Sequence, residues 1–226
     1  MSIKLPTRLI EVGKADDNSL VRLVVNPPTT ADDPTKGRYA ALSHCWGAVG
    51  KDAYSCLLNI NRLAFETRIP VERLPKMFQD AITATRGLEI RYLWIDSLCI
   101  IQDDDDDWAA ESKTMEDVYS LAHVTLAASS APSSLVGFLE RPNRAFAVMP
   151  NPSAEDHDAD GSRSLLYVAE AIDNFQTHIE DAVLNTRAWV LQERALSRRT
   201  IHFTSTQVYW ECGQGVHCET LAQLRK

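Results

Sequence analysis

No apolar run in this 226-residue chain approaches the roughly 20 residues that span a bilayer; those at 92–95 and 98–101, for example, are four residues each. The start, Met1-Ser-Ile-Lys-Leu-Pro6, has neither an apolar h-region nor a small-residue cleavage site. The expected location is therefore cytoplasmic, with no membrane among the partners. Cysteine is scarce and odd in number: Cys45, Cys56, Cys99, Cys212 and Cys218 are irregularly spaced and read as reduced thiols, not a disulfide framework. Nine glycines and ten prolines are too few for a fibrous or low-complexity chain. Basic charge is also short, 23 Lys+Arg against 31 Asp+Glu, for a net charge of −8. With no basic run interleaved with aromatics, a nucleic-acid partner is not expected. Neither Gly-x-Gly-x-x-Gly nor Gly-x4-Gly-Lys occurs, so the common phosphate loops are missing, and so is the Gly-x-Ser-x-Gly elbow.

What is present is a core. Hydrophobic residues make up 45%, with five Trp, six Tyr and six Phe, enough for one packed domain over residues 1–226. Residues 20–26 and 38–44 read as strands, with some helix around 56–65. Leu74-Pro75 opens an amphipathic helix in which Met77, Phe78, Ala81, Ile82 and Thr85 share a face and Gly87 closes it. Residues 91–101 hold a continuous apolar run of the kind found in strands covered on both faces. A helix over about 106–121, a strand over 123–128, a long polar loop over about 130–163 and a strand at 165–169 follow. A helix at 189–196 and a hairpin over 200–203 and 207–210 close the chain. Strand and helix alternating over 74–128 predict an α/β fold: a mostly parallel central sheet with helices on both faces, plus a C-terminal helix and hairpin.

The run Asp103 to Asp107 opens a helix, where carboxylates complement the positive end and cap free N–H groups. As a cation loop it lacks the alternating glycine and closing Glu, so no metal is expected. Cys212, His217 and Cys218 lack zinc spacing. Ser43-His44-Cys45 is a poor nucleophile cluster because neighbours on a strand face opposite ways. In a parallel sheet, however, ligands bind beyond the carboxyl ends of the strands. Two strand ends then deliver Ser43, His44 and Trp46, and Asp96, Ser97, Cys99 and Gln102, to one edge. The following helix adds Trp108 and Glu111, three apart and so on one face.

Four blocks carry a resemblance to a known family. They are Tyr39-Ala-Ala-Leu-Ser-His-Cys-Trp-Gly47; Leu74-Pro75 with Phe78-x-Asp80-Ala81-Ile82; Tyr92-Leu-Trp-Ile-Asp-Ser-Leu-Cys-Ile-Ile-Gln-Asp103 with Asp107-Trp108, Glu111, Met115 and Tyr119; and Arg187-Ala-Trp-Val-Leu-Gln-Glu-Arg194 with Tyr209-Trp210-Glu211-Cys212. In this order, over 39–212, they resemble the fungal heterokaryon incompatibility (HET) domain; His44 stands where that family usually has an aromatic residue. The resemblance implies a cell-death module of fungal non-self recognition, distantly similar to TIR domains with their flavodoxin-like sheet. Many TIR domains hydrolyse NAD as oligomers, using a glutamate on the helix after a central strand. Carried over, Glu111 takes the catalytic role, with Glu116 or Glu193 as the other acids able to hold it. Ser43, His44, Trp46, Gly47, Asp96, Ser97, Cys99, Gln102, Asp103 and Trp108 would bind the nucleotide. Arg187, Trp189, Gln192 and Glu193 are expected to form a buried network tying the last block to the Asp96–Asp103 segment. The resemblance further implies NAD or a related nucleotide as substrate with no cofactor, a homo-oligomer when active, and an upstream non-self sensor as partner. The alternative is a non-catalytic scaffold acting by homotypic assembly.

Overall fold

The computed structural model describes residues 5–14, 20–28, 37–47, 54–141, 146–150, 165–169 and 174–219. In chain order the strands are β1 (Arg8–Glu11), β2 (Arg22–Val25), β3 (Tyr39–Ser43), β4 (Tyr92–Trp94), β5 (Val124–Ala127), β6 (Phe146–Pro150), β7 (Leu165–Ala169), β8 (Arg199–Phe203), β9 (Val208–Cys212) and β10 (Gly215–Cys218). The α-helices are α1 (Arg62–Thr67), α2 (Lys76–Gly87), α3 (Asp96–Cys99), α4 (Asp105–Ser112), α5 (Met115–Leu121) and α6 (Ala188–Leu196).

Eight strands form one sheet in the order β10-β9-β8-β5-β3-β4-β1-β2. Its centre is parallel: β3 pairs with β4 on one side and β5 on the other, and β5 pairs with β8. Ala40 meets both Leu93 and Val124 in register. Taken by sequence, the parallel strands lie in the order second, first, third, fourth, as in flavodoxin-type doubly wound sheets. The flanks are antiparallel, β2-β1-β4 on one side and β8-β9-β10 on the other. The sheet is thus mixed and not mostly parallel, since the short links after β8 and β9 can only return a strand antiparallel.

Helices cover both faces of the parallel core. Residues 39, 41 and 43 of β3 point one way, and 40, 42 and 44 the other. On the first face the Tyr39 hydroxyl donates to the Val118 carbonyl at 2.5 Å, and Trp94 meets Tyr119 edge-on at 5.7 Å, so α5 sits there. On the second face His44 meets Phe78 of α2 edge-on at 5.3 Å. All of β3 is buried, and its Ala40-Ala41 pair lets both layers approach closely. In α2 the expected face is buried, joined by Asp80, whose carboxylate pairs with Lys76 and accepts from the amides of Phe138 and Leu139. Gly87 stays inside this helix, and the residue at positive φ is Glu89.

Other expectations need correction. The apolar run at 91–101 is strand only as far as Trp94; Asp96–Cys99 coils into α3, because apolar periodicity cannot separate a short buried strand from a buried helical turn. The helix expected over 106–121 breaks at Lys113-Thr114 into α4 and α5. Helix begins at Arg62, later than the 56–65 reading. Within the expected loop, Phe146–Pro150 pairs with Leu165–Ala169 as a hairpin, while 142–145 and 151–164 lie outside the described residues.

Candidate functional site

The centre of this doubly wound core is β3: the chain leaves it over the α2 face to reach β4 and crosses under α5 to reach β5. Its carboxyl end is therefore the switch point at which such sheets bind ligands. Ser43 is the last residue of β3, and its hydroxyl donates to Glu193 Oε2 of α6 at 2.5 Å. Glu193 is only 6% exposed. Burial pushes its carboxyl up to about 7, reinforced by the charge of Asp96 and opposed by the Ser43 hydrogen bond, Arg187 and the Tyr119 hydroxyl. A buried carboxyl that titrates near neutral pH can give or take a proton at working pH.

Two residues past the end of β4, Asp96 opens α3. Its Oδ2 accepts from Trp46 Nε1 at 2.8 Å, and its Oδ1 accepts from the Ser97 amide at 2.7 Å. His44 Nδ1 lies 3.9 Å from the same Oδ1, and its ring is near-parallel to that of Trp46 at 6.5 Å. Burial lowers the His44 pKa, opposed by the charge of Asp96. Arg187 Nη1 donates to the His44 carbonyl, fastening the start of α6 to the end of β3. Two buried side-chain atoms among the described residues, His44 Nε2 and Ser97 Oγ, have no hydrogen-bond partner, and both flank Asp96. Beside Ser43 lies a small recess of about 10 Å³, lined also by Thr125, Asn185, Thr200 and His202.

The structure thus brings together Ser43, His44, Trp46, Asp96, Ser97, Arg187 and Glu193. It scatters the rest of the sequence-derived set. Glu111 is buried at 9% exposure, but its partner is Arg8, 3.5 Å away. Arg8 also forks onto Asp107 at 2.8 and 2.6 Å and donates to the Cys99 carbonyl at 2.6 Å. Trp108 is 54% exposed, so it does not share a buried face with Glu111. Cys99 is buried with its thiol pushed up to about 12 by desolvation, which leaves it inert. Gln102 donates to the Ile100 carbonyl, and Asp103 accepts from the Asn59 amide. Gly47 is exposed at φ +71. Of the expected last-block network, Glu193 is buried and Arg187 half-buried, while Gln192 is exposed and Trp189 is 59% exposed. Positions 189 and 192 share the outward side of α6, where neither can reach the sheet.

The aspartate run caps as expected: Asp104 accepts from the amides of Asp106 and Asp107. Among the described residues no group of three or more His, Cys, Asp or Glu is placed to hold a metal ion. No helix among them is long and apolar enough to cross a membrane. Sequence reasoning missed Arg8, which a lone basic residue near the start does not signal.

By class this is a doubly wound α/β protein with a polar site at the switch point of its parallel core. It belongs to the heterokaryon incompatibility protein (HET) family, whose profile matches residues 39–193, well over half of the chain. No curated protein and no solved structure matches it.

Proposed function

We propose that this domain acts in heterokaryon incompatibility by hydrolysing NAD or a related nucleotide at the carboxyl edge of its parallel core. The observation that supports this most is the Glu193 carboxyl, buried at the switch point and held by the Ser43 hydroxyl. Cleavage of the nicotinamide–ribose bond builds positive charge on the ribose, which a nearby carboxylate stabilises, and releases one proton, which the same group can take. Trp46, fixed by Asp96, offers a half-buried aromatic face for a base. Glu193 replaces Glu111 as the proposed catalytic carboxylate, because the Arg8 pairing gives Glu111 a structural role. The test is purified protein with NAD at high protein concentration, following nicotinamide release. Wild type and Glu111→Gln release nicotinamide and Glu193→Gln does not; equal release by wild type and Glu193→Gln would refute the assignment.

The scaffold reading is supported by two apolar side chains of α6 that stand in solvent on different flanks of the helix, Trp189 at 59% and Leu191 at 75% exposure. On that reading the double variant Trp189→Ser, Leu191→Ser abolishes self-association and cell killing, whereas Glu193→Gln leaves both intact. A nucleotide substrate, a homo-oligomeric active form and an upstream sensor partner belong to this proposal.

A further inference from the structure

The recess beside Ser43 has the size and lining of a single-water site. About 10 Å³ is the space one water needs, and Ser43, Thr125, Asn185, Arg194, Thr200 and His202 are its polar lining, beside three apolar residues. Ser43 faces this recess, yet its one proton is committed to Glu193 Oε2 at 2.5 Å. Its oxygen lone pairs are therefore what it offers to the recess. Glu193 does not line the recess; it stands behind Ser43 and reaches it through that hydroxyl.

We propose that this recess seats the hydrolytic water, and that Ser43 relays the water's proton to Glu193. The inference rests on the NAD-hydrolysis reading and deepens it. As the carbon–nitrogen bond to nicotinamide breaks, nicotinamide departs as a neutral molecule with the bonding pair. The water oxygen bonds to the vacated ribose carbon. One water proton passes to Ser43 Oγ while the Ser43 proton passes to Glu193, which later loses it to solvent. The sum is NAD plus water giving ADP-ribose, nicotinamide and one proton, with nothing oxidised or reduced. The arrangement is that of a hydroxyl with a base in hydrogen-bond reach.

The relay separates two reactions that share bond cleavage. Hydrolysis needs the seated water; exchange of free labelled nicotinamide into NAD does not. Ser43→Ala is expected to lower hydrolysis by about 100-fold, the usual worth of general acid–base assistance, and exchange by much less, so that the ratio of exchange to hydrolysis rises by about tenfold or more. Ser43→Cys keeps the volume with a weak donor and is expected to fall between the two; if the alanine variant fails to fold, the cysteine variant decides on the same ratio. Hydrolysis and exchange falling together, or neither falling, would overturn the relay and leave the NAD reading standing. Wild-type protein that performs neither reaction would overturn both.

Discussion

Glu193→Gln should make the protein more stable as well as inactive, and the amount follows from burial. The folded carboxyl titrates at about 7 against an ordinary 4.5, because desolvation outweighs its hydrogen bonds. Below pH 4.5 both folded and unfolded chains hold the proton and no penalty exists. Between 4.5 and 7 the unfolded chain gives its proton up first, so the folded state binds more protons and stability falls as pH rises. Above 7 the full cost is present: about 2.5 pH units at about 1.4 kcal/mol each, or about 3 kcal/mol. At 6% exposure there is little solvent screening to discount it. A glutamine keeps an oxygen to accept from Ser43 and carries no charge. The variant should match wild type near pH 4 and exceed it by up to about 3 kcal/mol at pH 8, roughly 6–12 °C in Tm for a chain of this size. Urea melts of both proteins at half-unit pH steps measure this. An advantage that does not grow between pH 4 and 8 would show that the carboxyl is not held in a desolvated site.

Arg8→Ala removes the cation facing Asp107 and Glu111 and should cost about 3 kcal/mol or more, read by chemical denaturation; Glu111→Gln, which leaves Arg8 forked onto Asp107, should cost about 1 kcal/mol or less. Gly47→Ala places a Cβ 2.3 Å from the Ser133 Cβ on a backbone at φ +71, so it should destabilise by about 2 kcal/mol or displace the 131–134 segment, seen in melts or amide shifts. Asp80→Asn, at a carboxylate that takes two backbone amides and Lys76, should loosen the 134–139 segment and raise its hydrogen exchange before the core strands respond.

How much of this was legible depends on which physical signal each residue leaves in sequence. The strand ends at Ser43 and Asp96 could be placed because long apolar or small-residue runs stop there, and the switch-point rule then joined them. The α2 face was legible because its burial repeats at helical spacing. β1 was not: in Arg-Leu-Ile-Glu all four residues are buried, the charged pair by ion pairing, so no alternation remains to be seen. Glu193 was expected to be buried together with Gln192 and Trp189; polarity does not separate Glu193 from Gln192, and neighbours on a helix differ by about 100°. Glu111 carried the better motif argument and the worse geometry, because nothing in its neighbourhood in sequence announces Arg8.

The antiparallel flanks have a practical consequence for anyone who trims this protein to its family-matched segment. Residues 39–193 contain β3, β4 and β5 but not β1, β2, β8, β9 or β10. Cutting there would strip the partner from the outer side of β4 and the partner from the outer side of β5. Each would become a bare apolar edge with unpaired backbone groups, the geometry through which strands of different molecules add to one another. It would also delete Arg8 and leave the buried Glu111 and the partly buried Asp107 without their cation. The unit of recognition is thus smaller than the unit of folding, and a fragment cut at the family boundary should come out of cells as aggregate, whereas one spanning 5–219 should not.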